Sequence, residues 1–301
     1  MLLFALPVHE RLAAALGDLA RVERGRASIG RFANQELHVE LDTVPAGRDC
    51  LVLGAVAPPD ADLLATLLLC HTLAKEGARR VTALLPYLGY ARHDRDEPLR
   101  SRAAAWLGAV LRASAVADVV ALDVHSPLVH ELFPIPLRSL SPARLFADTL
   151  AALGLAEATI VAPDAGALER CEAVRRAAGI ARPLAHLTKG RTPEGVSHSR
   201  LHGVVGRRVV LVDDILDTGG TLVSACEALR GAGAEEIVAM VTHGLFTGAR
   251  WERLWSLGVT RIYCTDSTPL PEGRASARIV VLPVAPLLAA HLGETIGEGA
   301  R

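Results

Sequence analysis

The stretch that decides the fold reads VVLVDDILDTGGT and runs from Val209 to Thr221. Its apolar first half is typical of a buried β-strand, and the strand is predicted to end at Asp213 and Asp214. A turn containing Asp217 and Thr218 follows, and an apolar helical pattern begins after it. Strand, turn and helix in this order predict a parallel α/β sheet, whose ligands bind at the carboxyl ends of its strands.

The turn has the residues of an anion-binding loop. Gly219 and Gly220 allow backbone N–H groups to approach an anion closely, and the N-terminus of the following helix adds positive potential. Thr218 and Thr221 can donate hydroxyl hydrogen bonds to the same anion. This combination predicts a phosphate site.

Two carboxylates beside a phosphate site are explained by a sugar phosphate, which has an anionic end and a vicinal diol. Asp213 and Asp214 would accept hydrogen bonds from the diol, and residues Asp217 to Thr221 would hold the phosphate. The alternative is a capped helix after a glycine-rich turn, with solvated aspartates and no ligand.

The same alternation of strands and helices extends along the chain on both sides of this stretch. Strands are predicted at Cys50–Gly54, Val81–Leu85, Val119–Asp123, Thr159–Ala162, Val209–Val212, Ile237–Thr242 and Arg261–Cys264. Helices are predicted at Ala61–Lys75, Arg102–Ser114, Pro142–Leu153, Ala167–Ala178 and Thr221–Gly231. Prolines punctuate the chain near residues 135 to 145, which divides the pattern into two similar sets.

Five further strings accompany the first one in a fixed order. They are RFANQELHVEL (31–41), LLPYLGYARHDR (84–95), LDVHSP (122–127), VAPDAGALER (161–170) and VTHGLFTG (241–248). The stretch at 209–221 resembles the signature of proteins that bind 5-phosphoribosyl diphosphate (PRPP) or ribose 5-phosphate. With the other five strings, residues 2 to about 270 resemble the ribose-phosphate pyrophosphokinase family, because single-domain phosphoribosyltransferases lack the first three.

This resemblance implies two tandem phosphoribosyltransferase-like domains, each a mainly parallel sheet flanked by helices. The expected domains are residues 1–141, which contribute the ATP site, and residues 142–301, which bind ribose 5-phosphate. The last helix, although it follows the second domain in sequence, can pack against the first domain. The implied reaction moves the β,γ-diphosphate of ATP to O1 of ribose 5-phosphate, releases AMP and uses Mg²⁺.

The resemblance also implies roles for residues outside the glycine-rich turn. The matching ATP-binding positions are Phe32, Asn34, Glu36, Arg92, His93 and Asp94. In the family an aromatic and two polar residues on a hairpin cover adenine from a neighbouring subunit, so a homo-oligomer, a dimer or hexamer, is expected. His93 departs from the family, which more usually has Gln, and the choice of diphosphate donor stays open.

Four more positions match residues that the family uses for metal binding and catalysis. His125 and Asp164 match magnesium-associated positions, although Mg²⁺ prefers oxygen ligands. Lys189 and Arg191 match the two cations of a flexible catalytic loop, within the polar segment 186–197. Only Lys75 and Lys189 are lysines among 32 basic residues, a scarcity that codon bias explains without explaining their positions.

Composition limits the classes of function that remain. Half of the 301 residues are hydrophobic and the formal net charge is −1, which argues against disorder and against electrostatic nucleic-acid binding. The five cysteines have no metal-ligand or redox-pair spacing, and no signal peptide or membrane-spanning segment is recognisable. We therefore expect a cytoplasmic enzyme that has no nucleic-acid or membrane partner.

Two other functions stay open at this point. One is a catalytically silent member of the family that modulates an active partner, although the loop cations and diol-binding aspartates are present. The other is a phosphoribosyltransferase, or a regulator built on its fold, which would need no ATP-site strings. The sequence does not indicate whether phosphate or ADP regulates the protein. It also does not indicate the oligomer number or the role of the C-terminal tail.

Overall fold

The computed structural model describes residues 1–192 and 195–299, without the side chains of residues 189–192, 195–199 and 295–299. The chain divides into two compact units, and each is described by itself. The first unit contains Met1–Leu140 and the C-terminal segment that begins at Pro283, and the second contains Ser141–Leu282. Within the described residues, no helix combines the length and apolar character that a bilayer crossing requires.

The first unit has a parallel sheet and a separate hairpin. Its strands are β1 (Leu2–Ala5), β2 (Glu23–Arg24), β3 (Ala27–Arg31), β4 (Leu37–Leu41), β5 (Asp49–Leu53), β6 (Arg80–Leu85), β7 (Asp118–Leu122) and β8 (Leu137–Leu140). The described strands of the sheet lie in the order β2–β1–β5–β6–β7–β8, and every neighbouring pair is parallel. Strands β3 and β4 form an antiparallel hairpin outside this sheet.

Helices accompany the parallel strands of the first unit. They are α1 (Glu10–Ala20), α2 (Asp60–Lys75), α3 (Ala103–Ala113), α4 (Leu128–Leu132) and, from the end of the chain, α8 (Ala285–Gly299). The buried residues of α2 and α3 recur at spacings of three and four, and their leucines pack in one apolar core with the strands. Because the helices cover the sheet, the strands read as nearly continuous apolar runs.

The second unit repeats this architecture with a different edge. Its strands are β9 (Thr159–Ala162), β10 (Ala185–Thr192), β11 (Gly195–His202), β12 (Arg208–Leu216), β13 (Glu236–Gly244), β14 (Val259–Thr265) and β15 (Ile279–Leu282). They lie in the order β11–β10–β9–β12–β13–β14–β15, where β11 alone among these described strands runs antiparallel to its neighbour. The helices are α5 (Ala143–Ala152), α6 (Leu168–Ala177) and α7 (Gly220–Gly231).

Strand β12 lies in the middle of the second sheet, where apolar cores cover both of its faces. Val209 and Leu211 belong to one core, and Val210 and Val212 belong to the other. This alternation follows from the two-residue period of a strand. The apolar run from Val209 to Val212 is therefore held between two packed layers.

The predicted fold class is confirmed by two α/β units with mainly parallel sheets, and each predicted strand and helix is present within a few residues. Several elements were not predicted, among them α1, β1 and the edge strand β15. One prediction was wrong in kind: the segment from His186 to Ser197, expected as a loop, contains strand residues of β10 and β11. Polar strands at a sheet edge lack the apolar alternation that identifies a strand.

Phe4 tests the packing of the first core. Its ring is 0% exposed and fills the space beside Gly25, where a β-carbon would lie 2.4 Å from Phe4 Cζ. We expect Phe4→Ala to lower the free energy of unfolding by about 3–5 kcal/mol, because it leaves a cavity in a packed core. Urea unfolding followed by circular dichroism measures this loss.

Phe32→Ala is the matched control for that substitution. The Phe32 side chain is 55% exposed, so the same chemical change should alter stability by less than about 1 kcal/mol. Equal losses in the two variants would contradict the assigned packing.

Candidate active site

The two adjacent aspartates of β12 are buried at the carboxyl half of the strand. Asp213 is 8% exposed and Asp214 is 5% exposed. The strand continues to Leu216, beyond its predicted end at Asp213 and Asp214, so both aspartates are flanked by strand residues. The Asp214 N–H donates a 2.9 Å hydrogen bond to Asp213 Oδ1. Their backbone is therefore fixed by the sheet, which presents both carboxyl groups in a defined position.

Burial and neighbouring carboxylates raise the pKa of Asp213 well above its ordinary value. Burial is the largest cause, followed by the charge of Asp214, and Asp164 adds to the same effect. The positive charge of Arg170 opposes them by lowering the pKa. A group that prefers its proton in the free protein is suited to exchange it for hydrogen bonds or a cation when ligand binds.

Arg170 is the cation next to the aspartate pair. It lies on α6, and its Nη2 is 3.8 Å from Asp214 Oδ2, with both side chains nearly buried. Arg170 is the last residue of the string VAPDAGALER, and the sequence predicts no role for it. That position at the end of a matching string was the only signal in the sequence, because the contact depends on how α6 packs against β12.

Asp164 follows the neighbouring strand β9 and brings a third carboxylate to this end of the sheet. Its Oδ1 accepts hydrogen bonds from the N–H groups of Gly166 at 2.9 Å and Ala167 at 3.3 Å. These bonds cap a short 3-10 helix, Ala165–Ala167, and orient the carboxylate. Asp164 therefore lies in a fixed position near Asp213, as its effect on the pKa of Asp213 indicates.

The glycine-rich turn between β12 and α7 has the geometry of an anion site. Gly219 has φ of 82°, and α7 begins at Gly220, one residue before the predicted start. The first helical hydrogen bond runs from Val223 N–H to Gly219 O at 2.8 Å. The three preceding N–H groups, from Gly220 to Leu222, have no acceptor within the helix and can donate to an anion.

The loop after β13 is hydrogen-bonded to the chain that leads from β12 into the glycine-rich turn. Leu245 and Phe246 donate backbone N–H bonds to Leu216 O at 2.8 and 3.1 Å, and Thr247 N–H donates to Asp217 O at 3.1 Å. The string VTHGLFTG therefore has a structural role beside the glycine-rich turn. Asp217 and Thr218, by contrast with the buried pair, have side chains that reach solvent.

The two predicted catalytic cations lie on the β10–β11 hairpin. Lys189 pairs with His198 and Arg191 pairs with Val196, and the register shifts between Thr188 and Lys189. The side chains of Lys189 and Arg191 lie outside the described residues. The described part of the hairpin includes His186 and His202, whose rings stack 4.6 Å apart.

The predicted adenine-binding residues of the first unit lie together on the β3–β4 turn. Phe32 N–H donates to Glu36 O at 2.9 Å, and Glu36 N–H donates to Asn34 Oδ1 at 3.2 Å. The exposed Phe32 ring rests on His38, with centroids 4.7 Å apart. The turn thus presents an aromatic face to solvent, and two polar side chains flank it.

The other predicted ATP-binding residues follow β6, in the loop that leads to α3. Arg92 and His93 are exposed, whereas Asp94 is buried and its carbonyl accepts a 3.1 Å bond from Arg102 Nε. His93 N–H donates to Tyr90 O at 3.0 Å, which closes the turn. Burial separates Asp94 from the two exposed side chains and indicates a role in holding the loop.

The predicted metal residues lie in different units: His125 follows β7 in the first, and Asp164 follows β9 in the second. Within the described residues, no three His, Cys, Asp or Glu side chains are arranged as a preformed metal site.

Two family models match the chain in tandem. One describes the N-terminal domain of ribose phosphate pyrophosphokinase and matches residues 1–114, and the other describes the phosphoribosyl transferase domain and matches residues 129–256. The chain belongs to the ribose-phosphate pyrophosphokinase family. The two matched ranges contain every residue that the sequence analysis assigned to a site except His125, which lies between them.

Similarity to individual members of this family extends over nearly the whole chain. Ribose-phosphate pyrophosphokinase of Bacillus caldolyticus is 32% identical over 291 residues, covering 95% of this chain and 92% of the relative. The Brucella melitensis relative is 34% identical over 304 residues, covering 99% and 97%. The crystal structure of phosphoribosylpyrophosphate synthetase from Mycobacterium smegmatis superposes with a TM-score of 0.88 at 28% identity, covering 99% of each chain.

The raised pKa of Asp213 predicts a stability cost. Below the pKa of an unfolded aspartate, about 3.9, the group is protonated in both states and costs nothing. At higher pH the unfolded chain releases the proton that the folded chain retains, so folding becomes less favourable until the folded pKa is passed. We expect Asp213→Asn to raise the melting temperature at pH 7 in EDTA by at least about 2 °C.

Two comparisons check this prediction by differential scanning calorimetry. The stabilisation by Asp213→Asn should shrink as the pH falls towards 4, where the wild-type carboxyl is also neutral. Asp148→Asn, at an exposed carboxylate on α5, should leave the melting temperature nearly unchanged. A lower melting temperature for Asp213→Asn at pH 7 would show that the carboxylate stabilises the free protein.

Proposed function

We propose that this chain is a ribose-phosphate diphosphokinase, which transfers the β,γ-diphosphate of ATP to O1 of ribose 5-phosphate. The products are AMP and PRPP. The observation that carries the proposal is the union of a buried carboxylate pair with an anion-binding turn on one segment, β12 to α7. Membership of the ribose-phosphate pyrophosphokinase family over both units supports it.

Ribose 5-phosphate would bind to that segment at two places. Asp213 and Asp214 accept hydrogen bonds from the ribose diol, whose O–H donors compensate the buried carboxylate oxygens. The 5-phosphate is held by the turn, where the residues are Asp217, Thr218, Gly219, Gly220 and Thr221. The N–H groups at the start of α7 and the two threonine hydroxyls supply its donors.

ATP would bind to residues of the first unit. Phe32 offers an exposed ring for stacking on adenine, and Asn34 and Glu36 provide polar groups at the edge of that ring. Arg92 and His93 are exposed beside the turn after β6 and would contact the triphosphate, with Asp94 behind them. An exposed aromatic turn of this kind is also the basis for proposing a homo-oligomer, a dimer or hexamer, in which it serves a neighbouring subunit.

Transfer of the diphosphate requires positioning and charge neutralisation more than covalent chemistry. The ribose O1 attacks the β-phosphorus of ATP, the bond from that phosphorus to the α,β-bridging oxygen breaks, and AMP leaves with that oxygen. Lys189 and Arg191 are the proposed catalytic residues. Their cations would stabilise the negative charge that moves between donor and acceptor.

Mg²⁺ is the proposed cofactor, and the carboxylates of the second unit fit it. Asp164, Asp213 and Asp214 concentrate negative charge against Arg170, an imbalance that a divalent cation would reduce. Asp164 would hold the ion in the second unit. His125, in the first unit, is the other residue proposed to bind magnesium. When bound, Mg²⁺ would neutralise the triphosphate and make its β-phosphorus more electrophilic.

The five cysteines bear on where the enzyme would act. All five are buried, and none forms a disulfide bond within the part of the chain that the structure describes. Buried thiols outside disulfides are typical of proteins in a reducing compartment. We therefore place the proposed enzyme in the cytoplasm, and we propose neither a nucleic-acid nor a membrane partner.

The two alternative functions predict different results in an activity assay. A silent regulatory subunit would bind ribose 5-phosphate without releasing AMP, and a phosphoribosyltransferase would consume PRPP. Incubation with Mg²⁺, ATP and ribose 5-phosphate, followed by ³¹P NMR, should show AMP and PRPP forming in equal amounts. AMP release that does not depend on the sugar phosphate would exclude the proposed reaction.

Lys189→Ala tests the catalytic assignment, and Lys75→Ala is its matched control. We expect Lys189→Ala to lower kcat at least about 100-fold while the Kd for ribose 5-phosphate changes little, because the ammonium acts on the moving charge. Lys75 ends α2, is exposed and pairs with Glu76, so its removal should leave kcat unchanged. An unchanged kcat in Lys189→Ala would remove Lys189 from the mechanism.

A further inference from the structure

We propose that Arg250 is a further substrate-binding residue, whose guanidinium contacts the 5-phosphate of ribose 5-phosphate. The proposal rests on the proposed function, because it adds a residue to the phosphate end of that site. Arg250 begins a 3-10 helix, Arg250–Leu257, in the second unit. It lies two residues beyond the string VTHGLFTG, so the family resemblance assigns it no role.

The guanidinium lies beside the first turn of α7. A β-carbon placed on Gly220 would be 3.6 Å from Arg250 Nη1, 3.7 Å from Arg250 Cζ and 3.9 Å from Thr218 Oγ1. Arg250 and the Thr218 hydroxyl thus approach the same point at the helix N-terminus. The α7 backbone N–H groups without helical acceptors begin at this residue.

Gly219 explains why the two segments come so close. A β-carbon at Gly219 would lie 2.6 Å from both Cα and Cβ of Trp251, so any side chain there would collide with that backbone. Trp251 is anchored by a 3.1 Å bond from its Nε1 to Gly248 O and by edge-on packing against Phe246. The packing of the buried Trp251 therefore positions its neighbour Arg250 beside the glycine-rich turn.

Two acidic residues close to Arg250, one on the same 3-10 helix and one on α7, are paired with other arginines. Glu252 pairs with Arg274 at 2.7 Å, and Glu227 pairs with Arg253 at 2.8 Å. Among the residues that the structure describes, Arg250 itself forms no ion pair and no side-chain hydrogen bond. An exposed cation of this kind retains its full capacity to bind an anionic ligand.

The chemistry of guanidinium matches the proposed ligand. Its planar fork of donors fits two oxygens of one phosphate group, and charge-assisted bonds of this type are stronger than neutral ones. The turn alone offers N–H and hydroxyl donors and helix polarity, which carry no full positive charge. Arg250 would supply that charge and so favour a phosphorylated sugar over a neutral one.

The test compares Arg250→Gln and Arg250→Lys with the matched control Arg253→Gln, a nearby exposed arginine on the same 3-10 helix. We expect Arg250→Gln to raise the KM for ribose 5-phosphate at least about tenfold, with kcat and the KM for ATP changed less than about threefold. Arg250→Lys, which keeps the charge without the fork, should be intermediate. Arg253→Gln should behave as wild type.

Calorimetric titration of ribose 5-phosphate without ATP separates this inference from the proposed reaction. The Kd should rise at least about tenfold in Arg250→Gln, in parallel with KM, while the melting temperature stays at the wild-type value. If the wild type turns over but Arg250→Gln has an unchanged KM and Kd, Arg250 is not a binding residue and the proposed function stands. If the wild type makes no PRPP, the proposed function fails, and the titration still decides the role of Arg250.

Discussion

The burial of two adjacent carboxylates at the end of β12 is the constraint on which the second unit depends. Burying a charge is costly unless it is paired, and one arginine, Arg170, faces Asp214 while Asp213 and Asp164 add further negative charge. The raised pKa of Asp213 is the consequence in the free protein. A bound cation, or hydrogen-bond donors from a diol, would compensate this excess of buried negative charge. The buried carboxylates therefore lower the stability of the free protein and at the same time prepare the proposed ligand site.

A second constraint is the close approach of backbone at Gly219. Its positive φ turns the chain from β12 into α7, and its missing side chain lets Trp251 pack against the turn. The geometry of the proposed anion site and the position of Arg250 therefore share one origin. Glycine at this position is required by geometry on two sides, independently of any contact with the ligand.

The sequence was sufficient for the elements that are buried on both faces. Val209–Val212 is an unbroken apolar run because cores lie on either side of β12, and α2 and α3 show the helical spacing that packing demands. The family resemblance predicted positions for a site, and the structure brings three of them, Asp164, Asp213 and Asp214, together at one end of the sheet. Arg170 and Arg250 could not be found in this way, because each acquires its position from tertiary packing. The β10–β11 hairpin was missed because the alternate burial of Ala185 and Leu187 in β10 is followed by the polar sequence TKGRT (188–192), which shows no apolar alternation.

In the proposed enzyme, the segment from β12 to α7 binds both ends of ribose 5-phosphate: the carboxylates bind the diol, and the turn before α7 binds the phosphate. The most direct test is calorimetric titration of the wild-type chain with ribose 5-phosphate, 2-deoxyribose 5-phosphate and ribose in the same magnesium buffer. We predict that losing the 2-hydroxyl or the phosphate weakens binding at least about tenfold, because buried partners are left unsatisfied. Equal affinity for ribose 5-phosphate and its 2-deoxy analogue would contradict the role of the buried aspartates, and equal affinity for ribose would contradict that of the turn.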